Sequence, residues 1–470
     1  MRTRKQSIIL FFCSVSCMVS AMTDATLLGF SPTASGIENT KALQKAVDQT
    51  GTIVVTQPGV YKIAGTVYVG GNTTLRFGTG VILQKVNEQG KFSHVLLNKG
   101  ALKKSYDSNI VIEGLNIQVN DVDGHDQWQV YGLRGQLAFF YVKDLRIERF
   151  RCYDLGKMQY GIQVCTFEDV IVNDVIIKGM KDGVHLGRGK RFMISNGVFD
   201  TFDDAIALNA HDYSSGNPEL GWIEEGVVSN CHDVAAPTRK VGYFCRILAG
   251  AWVDWKEGME VQQSDTVVSS GRLYRVQMQP DGKVFKSMTR PTYTQGTVEL
   301  DGIRWGVVQE DVVYAAGVRN VVFRDIFLSE PRTSFSIHFD NDKYSRSYYP
   351  GATIPLQQGL VFDNVKVLHD AETPFLSIAT PIDSIVIANS TLRNNAISFI
   401  SNKAMKDYGK TAITLSTCTF AHPGKLALLK NSIENKKIDF VSFGSMVLSE
   451  QFEAIFPKTG MLRVTSDLKH

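Results

Sequence analysis

An excess of charge of either sign is nearly absent from this sequence. Lys and Arg number 50 against 47 Asp and Glu, a formal net charge of +3, and Arg2, Arg4 and Lys5 fall in an amino-terminal segment expected to be removed. A near-neutral mature chain lacks the basic surface on which nucleic-acid binding depends, so nucleic acid is not expected as a partner. Cysteine is scarce too. Beyond that segment lie Cys152, Cys165, Cys231, Cys245 and Cys418, an odd count with no metal-ligand spacing, which points to buried core thiols with at most one disulfide. There is no Gly-rich phosphate loop, no His/Cys metal cluster and no locally supported Ser-His-Asp order, so neither cofactor nor metal is expected. The apolar run from Ile8 to Val19 is too short for a membrane span. With basic residues before it and Val19-Ser20-Ala21 after it, it has the form of a secretory signal peptide over residues 1–21. Cys17 follows Val15-Ser16, but Ser14 stands where a lipoprotein signal has leucine. The expectation is an exported soluble protein, periplasmic or secreted.

Helical periodicity is also rare. The one convincing amphipathic stretch, Asn39 to Val47 with Leu43, Ala46 and Val47 on one face, is placed to cap the end of a stack. After it come short β-branched segments punctuated by Gly, Pro or Asn: Thr52–Val55, Gly59–Ile63, Gly65–Val69 and Asn72–Phe77. A phrase of the form apolar-x-Asp/Asn-apolar-x-apolar then recurs at Val142–Ile147, Phe167–Val172, Val318–Phe323 and Phe362–Val367. The first two copies are 25 residues apart (167 minus 142), and strand-rich units repeating at such a period mean stacked coils. A mature chain of roughly 450 residues exceeds a usual single core, a limit that a solenoid escapes because each repeat packs only on its neighbours. Hairpin signals at blade-like spacing are missing, which argues against a sandwich or propeller. The expectation is an all-β chain, a right-handed parallel β-helix over residues 22–470, with Phe335–Asn341, Leu376–Ala379 and Ala396–Ile400 as its clearest later strands. Coils run to about Gly444, and Gln451–His470 covers the open end.

Within the coils the chemistry concentrates in Lys181-Asp182-Gly183-Val184-His185-Leu186 and Phe202-Asp203-Asp204-Ala205-Ile206-Ala207-Leu208-Asn209. Val184 and Leu186, like Ile206 and Leu208, alternate inward, so the side chains between them face outward. If the segments are neighbours about 4.8 Å apart, Asp182, Asp203 and Asp204 converge on one patch. Clustered carboxylates repel, which raises at least one pKa and yields an acid and a base from one residue type.

The order of helix, capping strands, coils, Asp182-Gly183 and then Asp203-Asp204 resembles glycoside hydrolase family 28, the polygalacturonase-like pectin hydrolases. That family has Asn-Thr-Asp-Gly followed about 21 residues later by Gly-Asp-Asp, and here Asp182 to Asp203 is 21 (203 minus 182). The resemblance implies a pectin-lyase-like solenoid and an inverting hydrolysis of O-glycosyl bonds. In it Asp203 is the general acid, and Asp182 and Asp204 position or deprotonate the attacking water. It also implies departures. Tyr243 stands where the family's Gly-His-Gly has histidine, and Ser336 and His338 stand where Arg-Ile-Lys has the two cations that grip a substrate carboxylate. Arg246 shares an outward column with His185 and Ala207 and partly restores that grip. His211, on the loop after Asn209, completes the expected substrate contacts: His185, Tyr243, Arg246, Asn209, His211 and His338.

Residues 251–311 break the coil pattern and read as an inserted small β-module. Trp252, Trp255 and Trp305 fall in it. An exposed aromatic face there would stack on sugar rings, whereas a buried one would form the module's own core. Two other classes stay open beside the hydrolase. One is a β-helix polysaccharide lyase, with the aspartates holding Ca²⁺ and Arg246 or Lys181 as base. The other is a non-catalytic glycan-binding or tail-spike-like module. In every case the expected partner is a polysaccharide or oligosaccharide.

Overall fold

The computed structural model describes residues 22–124, 129–238, 240–279, 282–401, 408–421, 427–448, 461–466 and 468. The signal segment lies outside them, as does the stretch 449–460 of the expected end cover. The amphipathic helix runs Gly36–Val47 and starts earlier than its apolar periodicity suggests. Ser35 and Glu38 close a capping box there, the side chain of each accepting from the backbone N–H of the other, which satisfies two donors the first turn leaves free. Leu43, Ala46 and Val47 are fully buried against the first coils.

From there the chain winds as a parallel β-helix of right-handed coils. Strands in one coil pair in register with those of the next, and the inward positions form columns. Ile162, Val184, Ile206, Cys245, Phe335, Leu376, Ile397 and Leu429 are successive partners, all at 0% exposure. Each burial removes apolar surface worth about 1.5–3 kcal/mol per large side chain, and the column is continuous because each coil supplies one residue to it. Cys152, Cys165, Cys231, Cys245 and Cys418 are all buried free thiols.

The recurring phrase marks corners. Its Asp or Asn takes a left-handed conformation at Asp144, Asp169, Asn320 and Asn364 (φ 51°, 57°, 57° and 51°), which Asn and Asp tolerate best among residues with a side chain. The register places Asn109, Asp144, Asp169, Arg191, Glu225 and Asn320 in one corner line. Asn364 belongs to a different line with Asn230, Asp325 and Asn389. One phrase in sequence thus serves two edges of the tube. In the second line Asn364 Nδ2 donates to Asp325 Oδ1 at 2.7 Å and Asn230 Nδ2 to Asn196 Oδ1 at 2.6 Å. Met461–Ser466 adds one more parallel strand beside Lys437–Phe443, so part of the expected end cover continues the coils.

The coil pattern is interrupted between Gly250–Ala251 and Ala315–Ala316, which pair antiparallel as a neck. Outside that neck a five-stranded sheet joins Val253–Asp254, Thr266–Ser269, Arg272–Val276, Ile303–Gln309 and Thr297–Leu300. It has its own apolar cluster, including Trp255, Val261, Tyr274, Phe285 and Trp305. Trp252, Trp255 and Trp305 are 1%, 6% and 0% exposed, so these rings fill cores and offer no face to a sugar. The reason is local: strands this short bury enough apolar area only by placing their largest side chains inside. No helix among the described residues is long and apolar enough to cross a membrane.

Candidate active site

Each aspartate sits just before a strand, at the point where the chain turns into the sheet. Gly161 N–H donates to Asp182 O, Gly183 N–H to Asp204 O and Ala205 N–H to Tyr243 O, each at 2.9 Å. These bonds align Tyr160, Asp182, Asp204 and Tyr243 at one position of four successive coils, and Gln159, Lys181, Asp203 and Gly242 one residue earlier. Gly242 is required where it stands. A Cβ there would lie 2.3 Å from the Asp203 carbonyl carbon and 2.5 Å from Asp204 N, so only glycine lets this coil close on the aspartates.

One carboxylate oxygen from each of Asp182, Asp203 and Asp204 lies within 4.8 Å of the other two. A divalent cation could bridge such a group, but the positive charge beside it is an ammonium. Lys181 Nζ pairs with Asp203 Oδ2, lies 3.9 Å from Asp182 Oδ1 and sits 5.9 Å from the Tyr160 ring centroid. Asp203 is the most open, its side chain 26% exposed. Asp182 and Asp204 are 3% and 1% exposed.

These surroundings separate the three carboxyls. Burial, then the negative charges of Asp182 and Asp203, push Asp204 well above the usual carboxylate range, against a hydrogen bond from Tyr243 N–H at 2.9 Å. Asp203 is raised by burial and by Asp182, with Lys181 opposing. Burial would raise Asp182 as well, but the charge of Lys181 and the hydrogen bond from His185 outweigh it and hold the group below its ordinary value. One carboxyl is therefore suited to carry a proton and one to stay ionised, the division that acid–base catalysis needs.

The expected substrate contacts divide into two groups. His185, Asn209 and His211 are buried, at 0%, 0% and 1% exposure, and so lie behind the surface. Alternation does aim His185 out of the core, with Gln163, Ala207 and Arg246 in its column, but the loop after Asn209 folds over that column. Asp212 on this loop approaches His185 Nε2 at 3.1 Å, and Asn209 Nδ2 donates to Asp212 Oδ2 at 3.1 Å. His211 turns toward the inserted sheet, with Nε2 3.5 Å from Thr266 Oγ1. Burial and the charge of Arg275 lower its pKa to about 4.

Tyr243, Arg246 and His338 form the second group, each only partly buried. Tyr243 is half-buried and hydrogen-bonds to Ser336, whose Oγ is 2.9 Å from His338 Nδ1. Arg246 is not a solvated surface residue. Its side chain is 12% exposed, and one terminal nitrogen donates to Asp340 Oδ1 at 2.6 Å. Asp340 and Tyr160 were not anticipated from the sequence, whereas Asp212, expected with His211 and Tyr213 as a loop that contacts substrate, is fully buried instead. Tyr160 was within reach, because it precedes Ile162 by the same interval that separates Asp182 from Val184. Asp212 and Asp340 stand on loops outside any period.

Comparison with known proteins supports the architecture. No family model matches the chain, and no curated protein matches it. Among solved structures, it is similar to the Yersinia enterocolitica family 28 exopolygalacturonase, with 14% identity and a TM-score of 0.51 over 96% of this chain and 79% of that one. It is also similar to PfbA, a surface protein and adhesin of Streptococcus pneumoniae, with 9% identity and a TM-score of 0.53 over 96% of this chain and 100% of that one. A third likeness is the tailspike of Escherichia coli bacteriophage HK620, determined in complex with a pentasaccharide, with 8% identity and a TM-score of 0.50 over 91% of this chain and 66% of that one. At these identities the likenesses establish the fold, and the chain is a parallel β-helix.

Proposed function

We propose that this protein is a glycoside hydrolase acting on a complex polysaccharide or oligosaccharide. The observation that carries this reading is the group of three carboxylates with one ammonium, in which Asp204 is buried with its ionisation suppressed and Asp182 is held ionised. In this reading Asp203 and Asp204 share one proton, as closely placed carboxyls do. Asp203, the open member, presents it to the glycosidic oxygen, and Asp182 deprotonates the water. One oxygen from each carboxyl lies within 4.8 Å of the other two, so the three groups crowd one patch of surface. Inversion, as the resemblance implies, then has the attacking water held by Asp182. The anomer first formed, read by ¹H NMR during hydrolysis, tests this directly.

Arg246 is engaged by Asp340 and Lys181 by Asp203, while Ser336 and His338 occupy the positions of the family's cations. A substrate carboxylate would meet more negative than positive charge, so the reading favours a neutral or decorated glycan over plain polygalacturonate. The same ion pairs weigh against a lyase, because a base must be free to accept a proton and both candidate bases are held charged. The testing experiment is a product profile on neutral glycans, decorated pectic chains and polygalacturonate, with and without chelator. New reducing ends without ultraviolet-absorbing products, insensitive to chelator, support the hydrolase. Unsaturated products lost with chelator support the lyase, and binding without turnover supports a glycan-binding module. Export is proposed on residues 1–21 alone, and an intact amino terminus in the cytosolic fraction would overturn it.

A further inference from the structure

His185 bridges two carboxylates from different parts of the chain. Its Nδ1 lies 2.9 Å from Asp182 Oδ2 and its Nε2 3.1 Å from Asp212 Oδ2. Its ring stacks on Tyr160 with centroids 4.2 Å apart and planes at 10°. His185, Asp182, Asp212 and Tyr160 are 0%, 3%, 0% and 2% exposed, so water does not satisfy them. A neutral imidazole carries one N–H and would set a bare lone pair against one of the carboxylates. The doubly protonated ring donates Nδ1–H to Asp182 and sets its positive charge 3.1 Å from Asp212, a charge pair outside hydrogen-bond geometry. Asp212 is itself fixed, by Asn209 Nδ2 at 3.1 Å and by its neighbour's backbone, Tyr213 N–H, at 2.7 Å. Its loop is anchored to the inserted sheet, where Ser214 N–H donates to Ser264 Oγ at 2.8 Å and Leu220 N–H to Gln309 Oε1 at 2.9 Å.

We propose that Asp212 and His185 are positioning residues for Asp182. Asp212 holds the imidazolium, and the imidazolium presents Nδ1–H to Asp182, keeping that carboxylate ionised and aimed. The role of Asp182 as base rests on the hydrolase reading; the bridge itself does not. Burial alone would lower the His185 pKa, yet the hydrogen bond to Asp182 and the negative charges of Asp212 and Asp182 overcome it and raise it to about 9. The charged and titratable groups around the bridge are Asp182, Asp212 and Tyr160 in contact with the ring. Lys181 lies next to Asp182, Arg134 next to Tyr160 and Arg246 near Asp212. Lys181 and His185 both favour the ionised form of Asp182, whereas the charge of Asp212 acting directly opposes it, so any support Asp212 gives that form passes through the ring.

The test pairs an NMR titration of His185 with pH–rate profiles, in wild type and in Asp212→Asn. The expected result is a wild-type His185 midpoint above pH 8, lowered in Asp212→Asn by about one pH unit or more. The acidic limb of kcat/KM rises by about one unit and kcat at neutral pH falls about tenfold, with KM little changed. A wild-type midpoint at or below the ordinary value of about 6.5 overturns the proposal, and this measurement decides even if Asp212→Asn does not fold. An unchanged acidic limb in folded Asp212→Asn also overturns it. The expected midpoints without turnover of any glycan leave the bridge standing and remove the hydrolase reading. Turnover with an ordinary His185 does the reverse.

Discussion

Two clusters of buried charge flank the backbone at Asp203, and they are built differently. On one side Arg332 donates to Asp233 through two nitrogens at 2.9 and 2.7 Å and to Asp203 O at 2.8 Å. Lys240 Nζ lies 3.2 Å from Asp200, 3.8 Å from Asp233 and 3.9 Å from Glu330. There two cations meet three carboxylates, the buried Asp233 and Glu330 and the partly exposed Asp200, and Arg332 and Lys240 are each 3% exposed. On the other side the single ammonium of Lys181 faces Asp182, Asp203 and Asp204. A buried carboxylate gripped by two nitrogens of one guanidinium is fixed in place, whereas carboxylates crowded on one another with a single ammonium hold protons more readily. That two-nitrogen grip of Arg332 on Asp233 separates a brace from a reactive group.

Removing members of the crowded group gives the largest expected effect. Asp203→Asn and Asp204→Asn lower turnover by about 10² to 10⁴ while leaving melting temperature near wild type, since an amide replaces a carboxyl that does not need its charge to fold. Steady-state kinetics on the best substrate with a thermal melt checks both halves. A folded Asp203→Asn retaining more than about a tenth of wild-type rate, against that expected loss, would remove the assignment.

The braced cluster responds in the opposite sense. Arg332→Met strands Asp233 without its bidentate partner and destabilises the fold by about 3–5 kcal/mol, measured by denaturant unfolding. Any activity loss per folded molecule is smaller and comes from the released Asp203 carbonyl. An unfolding free energy within about 1 kcal/mol of wild type, far below the cost of breaking a buried pair, would break the comparison.

Changing the charge count without touching a carboxylate sharpens it. Lys181→Met leaves three carboxylates with no adjacent ammonium, so Asp203 and Asp182 both hold protons more tightly. The acidic limb of the pH–rate profile moves up by about one unit, with roughly a tenfold fall at neutral pH. An unmoved limb would show that the ion pair with Asp203 is not formed in solution.

The smallest expected effect is on stability against pH. His185 has a folded pKa of about 9, above the ordinary value near 6.5. Its contribution is thus fully present below about pH 6.5 and is lost as pH rises through about 9. Asp204, also raised, adds a loss in the same direction. A melting temperature that declines by a few degrees across this window, and declines less in His185→Gln, is the expected scan.

The solenoid and the place of its acidic residues were decided by the sequence itself. Inward alternation at Val184 and Leu186, corner residues such as Asp169 and Asn320, and the 22-residue step from Asp182 to Asp204 (204 minus 182) are local or strictly periodic. A coil can stack on its neighbour only in the register they dictate. Whether those aspartates are charged depended on the tertiary structure. Lys181 reaches across one coil to Asp203, Arg246 is taken by Asp340, and His185 is closed off by Asp212, whose loop follows no period. The same holds for Trp255 and Trp305, whose burial depends on strands pairing within the insertion. Ionisation and exposure are set by the groups that surround a side chain in space, and irregular loops bring in groups that no repeat in the sequence announces.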